Sequence, residues 1–301
     1  MPSLATDNPV TAVSLSNGVK LLAGSQHRRD GSLACSDGMT SGPQQYPSLP
    51  YCAHAFVPKL PWREPTDAEL DILLGGASDI QPGNWVQVIR VPQPIMDAFE
   101  PLRAFARGVS EERQLEPLRA TSEYKEGLAR ALEYARTLTL PHTVVEKPCI
   151  YFNEPGLPTT SNTGANHDQL LGIHTDSLGN DPLPLRKFSL NRICLNTGSG
   201  DRFLLYVNLG LEQIAALLRE RNISVGQNPL SPPLEPFRRA FMSTYAAYPV
   251  VKLRLRPGEG YLAPTENVIH DGCTEGQQAF DIIFMAHGHF RPQLGEMPDG
   301  R

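Results

Sequence analysis

The sequence predicts an α+β fold with a mainly β core, a jelly roll that carries flanking helices and a helical insertion. From Lys147 to Arg291, short segments rich in apolar and aromatic residues follow one another between turn-forming residues, which is typical of strands. Their number suits the two packed sheets of a jelly roll. Before this region, and once within it, apolar residues recur at the spacing of a helix, which predicts the flanking and inserted helices.

The helical decoration is predicted over residues 64–138. Thr66 followed three residues later by Glu69 is a capping-box signature, and it predicts a helix that stops at Gly75. Two further helices are expected at residues 94–109 and 122–138, where apolar residues recur three and four residues apart. We expect these helices to pack on the outside of the β core.

The β core is predicted over residues 147–291, after one earlier strand at residues 85–91. Its predicted strands are 149–153, 170–174, 188–195, 203–208, 250–256, 260–263 and 279–287. A helical insertion over residues 209–248 interrupts it. Phe237, Phe241 and Tyr245 recur there every four residues, a stripe that we interpret as core packing rather than as a ligand box.

Length and composition bound the domain organisation and the class of protein. Residues 1–46 are rich in small polar residues and predict an irregular arm, and residues 47–301 predict one jelly-roll domain. Of the 301 residues, 40% are hydrophobic, which suffices for a core. No apolar run reaches the roughly 18 residues that cross a bilayer, and no signal-peptide pattern begins the chain, so we expect no membrane and a cytoplasmic location. The oligomeric state stays open.

Charge and cysteine content exclude further classes. The net charge of -5 comes without a basic cluster, so the sequence predicts no nucleic-acid partner. The five cysteines are odd in number and include no Cys-x-x-Cys pair, which indicates reduced thiols rather than a disulfide framework or a structural zinc site.

His174-Thr175-Asp176, with His270 94 residues after Asp176, is the pattern that says most about function. In an extended backbone, residues i and i+2 point to the same side, so His174 and Asp176 would converge. Two imidazoles and one carboxylate can hold Fe(II) on one face and leave the other positions open. The alternative is an ordinary hydrogen-bonded His174, an Asp176 that caps a turn, and an unrelated His270.

These residues, with Arg256 to Tyr261 before the distal histidine, resemble the Fe(II)/2-oxoglutarate-dependent dioxygenase superfamily over residues 147–291. The resemblance implies a double-stranded β-helix and an Fe(II) bound by His174, Asp176 and His270. It also implies 2-oxoglutarate and O2 as co-substrates. Many members place an arginine about ten residues after the distal histidine, where this chain has Phe280.

A different cation must then bind the distal carboxylate of 2-oxoglutarate, because a desolvated carboxylate needs a charged partner. Arg192 is the first candidate, since Leu190, Arg192 and Cys194 share one face of their predicted strand. Lys187 and Arg291 are the second and third. For each, a side chain that simply reaches water remains the alternative.

The polar loop 154–169 directly precedes the first metal-ligand strand. It is interpreted either as a lid or as a solvated connector. The candidate substrate and lid residues at or near it are Asn153, Asn162, Asn166 and His167.

The predicted reaction is hydroxylation of a small polar metabolite, such as an amino acid derivative or a natural-product intermediate, with desaturation or cyclisation as variants. Asp176 disfavours halogenation, because the resemblance implies a small residue in place of the carboxylate for that reaction. Two alternatives stay open. One is a cupin-type metal-dependent dioxygenase or isomerase that does not use 2-oxoglutarate, and the other is a non-catalytic jelly-roll binding protein.

Overall fold

Two β-sheets pack face to face in the computed structural model, which describes residues 14–22, 31–163, 169–228 and 230–293. The strands are β1 Lys20–Leu22, β2 Leu33–Cys35, β3 Met39–Ser41, β4 Tyr51–Pro58, β5 Leu74–Gly75, β6 Trp85–Arg90, β7 Glu146–Asn153, β8 Leu170–Gly172, β9 Asn191–Asn196, β10 Arg202–Gly210, β11 Val251–Leu255, β12 Glu259–Ala263, β13 Val268–Cys273 and β14 Asp281–Gly288. The α-helices are α1 Gly42–Gln45, α2 Asp67–Leu73, α3 Gln93–Ala106, α4 Ser122–Thr137, α5 Leu211–Glu220 and α6 Leu234–Thr244. Shorter 3-10 segments are Ala77–Asp79, Glu112–Ala120 and Leu183–Phe188.

The large sheet has seven strands in the order β5-β1-β6-β12-β9-β14-β7, and its pairs are antiparallel except those of β1. The facing sheet has the order β13-β10-β11-β2 and is antiparallel throughout. A third, small sheet of β3, β4 and β8 continues it, because backbone hydrogen bonds join His174 to His270 across the gap between β8 and β13. This arrangement confirms the predicted α+β class with a mainly β core.

The alternation of side chains along β9 shows how the two layers are built. Ile193 and Leu195 face outward into an apolar cluster with Phe99 and Leu102 of α3, and α4 contributes Ala131 to the same cluster. Cys194 belongs to the other cluster, which fills the space between the sheets. Since neighbouring residues of a strand alternate, Arg192 shares the inner face with Cys194, as predicted.

The capping box at Thr66 is confirmed. The Thr66 hydroxyl accepts a hydrogen bond from the Glu69 amide at 3.2 Å, and the Thr66 amide donates to the Glu69 carboxylate at 2.8 Å. Arg63 donates two further bonds of 2.7 Å to that carboxylate. The predicted helices at α3 and α4 are also present within a few residues of their expected limits.

The helices α5 and α6 lie between β10 and β11, within the range given above for the helical insertion. Phe237, Phe241 and Tyr245 are buried in the same apolar cluster as Cys194, so the aromatic stripe is core. Tyr245 also donates a hydrogen bond of 2.8 Å from its hydroxyl to the Leu217 carbonyl, which joins α6 to α5.

The N-terminal segment departs from the expectation of an irregular arm wherever it is described. β1 lies beside β6 in the large sheet, β2 pairs with β11, and Leu21 is fully buried. Strands of three residues carry little periodicity of their own, and their partners lie far along the chain. Long-range pairing therefore decides their conformation, which composition does not reveal.

Two other differences concern strands around the site. His270 lies within β13, a strand that was not among those predicted from the sequence. The strand predicted from residue 188 begins only at Asn191, because Leu183–Phe188 forms a 3-10 segment. Among the described residues, every helix is too short or too polar to cross a membrane. All five cysteines are free thiols.

Candidate metal centre

The structure brings His174, Asp176 and His270 together. One donor atom from each lies within 4.8 Å of the others. His174 Nε2 is 3.7 Å from Asp176 Oδ1, and His270 Nε2 is 3.8 Å from Asp176 Oδ2. Donors that share one ion through bonds of about 2 Å lie within about 4 Å of each other, so both distances suit a single metal ion.

The backbone holds the two histidines side by side. The His174 amide donates to the His270 carbonyl at 2.8 Å, and the His270 amide donates to the His174 carbonyl at 2.6 Å. This reciprocal pair places the ring centroids 4.9 Å apart. The positions of the two imidazoles therefore follow from strand pairing rather than from side-chain packing alone.

The hydrogen bonds of the two rings set their tautomers. His174 Nδ1 lies 3.0 Å from the Gly172 carbonyl, and His270 Nδ1 lies 3.2 Å from the Val268 carbonyl. A carbonyl only accepts, so each Nδ1 carries a proton and Nε2 is the nitrogen that each ring can offer to a metal ion. His270 Nε2 is buried and has no hydrogen-bond partner among the described residues. A buried, bare imidazole nitrogen aimed at a carboxylate fits a divalent metal ion.

Neighbouring charges bias the protonation of the three side chains. Burial opposes ionisation of Asp176, yet Arg192 and His270 outweigh it and hold the pKa of this carboxyl well below its usual range. Burial lowers the pKa of His270 to about 3. For His174, burial is outweighed by Asp176 and Asp271, which raise its pKa to about 9. The centre therefore offers an ionised carboxylate and a neutral His270, both of which a metal ion requires.

Asp271 supports His174, and the sequence reading did not identify it. Its Oδ2 lies 3.6 Å from His174 Nδ1. Its Oδ1 accepts bonds from the Gly272 amide at 2.7 Å and from the Ser161 amide and hydroxyl at 3.1 and 2.9 Å. A carboxylate behind a histidine ligand orients the ring. The sequence feature that could have identified Asp271 is its position directly after His270.

Arg192 and His287 stand on the other side of Asp176. Arg192 Nη2 donates to both oxygens of Asp176, at 2.7 and 2.6 Å. His287 Nε2 lies 3.5 Å from Asp176 Oδ2 and 3.5 Å from Arg192 Nε. His287 pairs with Arg192 across β14 and β9, so cross-strand register brings it to the centre. No local pattern in the sequence marks that register.

A cavity of about 460 Å³ opens from this centre. His174 and Arg192 line its inner end, and Tyr151, Asn153 and Asn162 line other parts. Arg202 also lines it and forms a buried ion pair with Asp281, which joins β10 of one sheet to β14 of the other. The volume accommodates a small ligand together with a co-substrate.

The remaining predicted site residues divide into three groups. Lys187 pairs with Glu212 at 2.9 Å on the surface, and Arg291 donates to the Thr137 carbonyl at 3.3 Å, so the structure places neither against the cavity. Asn153 and Asn162 line it, and Asn153 donates to Asp281 at 2.8 Å. Asn166 and His167 lie outside the described residues.

The first part of the predicted lid is tied to β13 and the turn after it. The Thr160 amide donates to the Gly272 carbonyl at 3.0 Å, and the Gly156 amide donates to the Thr274 carbonyl at 3.0 Å. The Leu157 amide bonds the Thr274 hydroxyl at 2.9 Å. This part of the loop forms a wall of the cavity.

No family model matches the sequence, and no curated protein matches it. Among solved structures, the chain is similar to a non-heme monooxygenase, ThoJ in a nickel complex, with 10% identity and a TM-score of 0.36 over 70% of this chain and 73% of that one. It is also similar to the Kdo hydroxylase KdoO, a non-heme Fe(II) alphaketoglutarate dependent dioxygenase in complex with alphaketoglutarate and Fe(III). That match has 10% identity and a TM-score of 0.36 over 70% of this chain and 80% of that one. These TM-scores are low, so the proposed function rests on the geometry of the metal centre.

Proposed function

We propose that this chain is a non-haem Fe(II)/2-oxoglutarate-dependent oxygenase that acts on a small molecule. The observation that carries the proposal is the convergence of His174, Asp176 and His270, each with a donor atom within 4.8 Å of the others. Two imidazoles and one carboxylate occupy one face of an iron ion and leave sites for a co-substrate and oxygen.

Arg192 is the residue that we propose for the distal carboxylate of 2-oxoglutarate. It is largely buried, it faces the space between the sheets, and it lines the cavity beside His174. Its bonds to Asp176 come from Nη2, and a guanidinium has five N–H donors on three nitrogens. Nη1 carries two donors that these bonds do not use, and they can bind an incoming carboxylate.

The protein's part in the reaction is to bind, orient and exclude water. Iron and 2-oxoglutarate, when bound, supply the activation of O2 that side chains lack. His174 and His270 would bind the metal ion through their Nε2 atoms, and the Asp271 carboxylate lies 3.6 Å behind the His174 ring. The Asp176 carboxylate occupies a ligand position, which supports hydroxylation, desaturation or cyclisation over halogenation. Asn153 and Asn162 are candidates for contacts with a polar substrate.

A cupin-type dioxygenase that does not use 2-oxoglutarate is the second candidate. The same three donors would suit such an enzyme, since His287, 3.5 Å from Asp176 Oδ2, lies on the Arg192 side of this carboxylate and is not a fourth donor. The two candidates differ in the role of Arg192. In the cupin-type enzyme it only balances the charge of Asp176, whereas in the oxygenase it also binds the co-substrate.

Anaerobic spectroscopy distinguishes the 2-oxoglutarate-dependent oxygenase from the cupin-type enzyme. Full-length protein with Fe(II) should develop a weak visible metal-to-ligand charge-transfer band when 2-oxoglutarate is added. His270→Ala should remove both this band and iron-dependent succinate formation, since it deletes one ligand. His289→Ala, which changes a histidine outside the proposed ligand set, should retain both. Normal succinate formation by His270→Ala, or a wild-type protein that binds Fe(II) but gives no band, would refute the proposal.

A further inference from the structure

Asp176 lies outside the strand pairing that holds the two histidines of the metal centre. Residues 175–178 belong to no strand or helix, although His174 still forms a bridge with His270. The main chain of such a segment has many accessible conformations unless other contacts restrict it. The direction in which Asp176 presents its carboxylate therefore depends on contacts other than a strand ladder.

Both polar groups of the Asp176 main chain have partners. The Asp176 amide donates a hydrogen bond of 3.1 Å to the carbonyl of Thr265, in the turn between β12 and β13. The Asp176 carbonyl accepts a hydrogen bond of 3.0 Å from Nη1 of Arg186. The first bond joins two main-chain segments, whereas the second depends on one side chain.

Arg186 has a relative exposure of only 3%, and its guanidinium contacts both ends of the segment from Asp176 to Asp181. Its Nε donates to the Asp181 carbonyl at 2.8 Å, and its Nη2 donates to the Ser177 hydroxyl at 3.2 Å. Nη1 also donates to the Glu266 carbonyl at 3.3 Å. All three nitrogens of the guanidinium therefore donate, which the single nitrogen of a lysine cannot reproduce.

Glu266 joins the same segment to the strand of the distal histidine. Its Oε2 lies 3.5 Å from Arg186 Nη1, and its Oε1 accepts a hydrogen bond of 3.1 Å from the Leu178 amide. Glu266 is 1% exposed and lies in the turn before β13, four residues before His270. Because a buried ion pair contributes little net stability, geometry explains this pair better than stability does.

We propose that Arg186, held by Glu266, is a positioning residue for the metal centre. It fixes the main chain of Asp176 relative to β13, so that the carboxylate lies beside both histidines. Its bond goes to the Asp176 carbonyl, whereas Arg192 bonds the carboxylate itself. The inference rests on the proposed function in one respect, namely that Asp176 is a metal ligand.

Binding of Co(II) to the full-length protein tests this role, because the visible absorption of the bound ion reports its ligands and their geometry. Arg186→Lys keeps the positive charge beside Glu266 but loses the arrangement of donors. We expect it to raise the dissociation constant of Co(II) by about 10- to 100-fold and to change the absorption of the bound ion. Glu266→Gln keeps an acceptor for the Leu178 amide but loses the charge, and it should raise the constant by at least about threefold.

Glu69→Gln is the control for a general loss of stability. It removes the charge of another carboxylate that is bonded to an arginine, Arg63, at the first turn of α2. Its Co(II) affinity and absorption should equal those of the wild-type protein, at a temperature where circular dichroism shows both variants to be folded.

A double-mutant cycle tests whether Arg186 acts through Asp176. In Asp176→Ala, the two histidines remain as ligands and should bind Co(II) more weakly. Adding Arg186→Lys to this variant should change the weaker affinity by less than about threefold, because the residue that Arg186 positions no longer supplies a ligand.

Three outcomes would overturn the proposal: an unchanged Co(II) affinity in Arg186→Lys, an equal loss in Glu69→Gln, and an equal loss from Arg186→Lys in the Asp176→Ala protein. If Arg186→Lys does not fold, an unchanged affinity in Glu266→Gln overturns it in the same way. Failure of the oxygenase function is a separate result, because it appears as a wild-type protein that binds Fe(II) but gives no charge-transfer band with 2-oxoglutarate.

Discussion

Arg192 Nη2 lies 2.6 and 2.7 Å from the two carboxylate oxygens of Asp176, the residue that we propose as the anionic iron ligand. In the proposed centre, metal and guanidinium would share one carboxylate. The arginine keeps Asp176 ionised, and it would stand beside a bound metal ion as a second positive charge. An incoming dicarboxylate would offset that charge, which couples co-substrate binding to the occupied centre.

Arg192→Met should weaken 2-oxoglutarate binding by at least about thirtyfold, because a buried charge-assisted pair contributes roughly 2 to 5 kcal/mol. Methionine keeps much of the bulk but neither the charge nor the donors. Iron affinity should not fall, since the three ligands remain and a positive charge beside Asp176 is gone. Titration of the anaerobic charge-transfer band measures both constants. Lys187→Met and Arg291→Met are the surface controls and should bind 2-oxoglutarate normally. If one of them loses affinity for 2-oxoglutarate while Arg192→Met binds it normally, Arg192 is not the residue that binds the distal carboxylate.

Asp271→Asn should raise the dissociation constant of Fe(II) by about 10- to 100-fold, the usual effect of altering a residue that orients a metal ligand. The amide would still accept bonds at Oδ1, but its NH2 group would confront the His174 Nδ1 proton 3.6 Å away. Competition with a colourimetric chelator gives the constant. Asp201→Asn, a partly exposed aspartate 3.9 Å from Arg254, is the control. Identical iron affinities in the two variants would show that Asp271 does not position the ligand.

Glu69→Gln should lower the free energy of unfolding at pH 7 by about 1 to 3 kcal/mol, because it removes the charge from a carboxylate bonded to Arg63 and to the first turn of α2. Arg63 holds the pKa of Glu69 below its usual range. A lowered pKa stabilises the fold above the unfolded-state pKa, and this contribution disappears as the pH falls through the folded-state value.

The difference between wild type and Glu69→Gln should therefore be full at pH 7 and shrink below about pH 4.5, in urea unfolding measured across that range. Glu126→Gln removes an exposed pair with Arg130 and should change stability by no more than about 0.5 kcal/mol at any of these pH values. If the difference in unfolding free energy between wild type and Glu69→Gln stays constant down to pH 3, the charge of Glu69 does not contribute to stability.

Hydrogen exchange should separate the two halves of the predicted lid. The amides of Gly156, Leu157, Thr160 and Ser161 donate to β13 and the turn that follows, so we expect slow exchange without iron or substrate. Their exchange should be unchanged in the complex with iron, co-substrate and substrate. Any gating would then be confined to residues later in the loop. Rapid exchange at these four amides would contradict this expectation and support the prediction that the whole loop is a mobile lid.

Features with a short-range physical basis could be predicted from the sequence. The capping box at Thr66 spans three residues, and the convergence of His174 and Asp176 needs only the two-residue period of an extended chain. The same period placed Arg192 on the inner face with Cys194. Lys187 precedes that strand in a 3-10 segment, where no such period applies, so its surface position could not be anticipated.

Features set by pairing between distant segments could not be predicted. Val268–Cys273 includes His270, Asp271 and Gly272, and it forms β13 because β10 pairs with it. His287 reaches Asp176 through the register of β14 against β9. Leu33–Cys35 becomes a strand through β11, more than two hundred residues away.

The reciprocal pair of backbone hydrogen bonds between His174 and His270 also bears on how the protein would acquire a metal ion. Main-chain pairing, rather than the metal ion, holds the two histidine ligands together. A chelator should therefore remove the metal ion without unfolding the protein, and the metal-free protein should bind metal again without a refolding step. A site whose ligands are fixed by the backbone discriminates poorly between divalent ions of similar size. By the ordinary order of divalent affinities, nickel, cobalt and zinc would compete with iron for it. Which ion resides there would then depend on the supply of metals in the cell during synthesis.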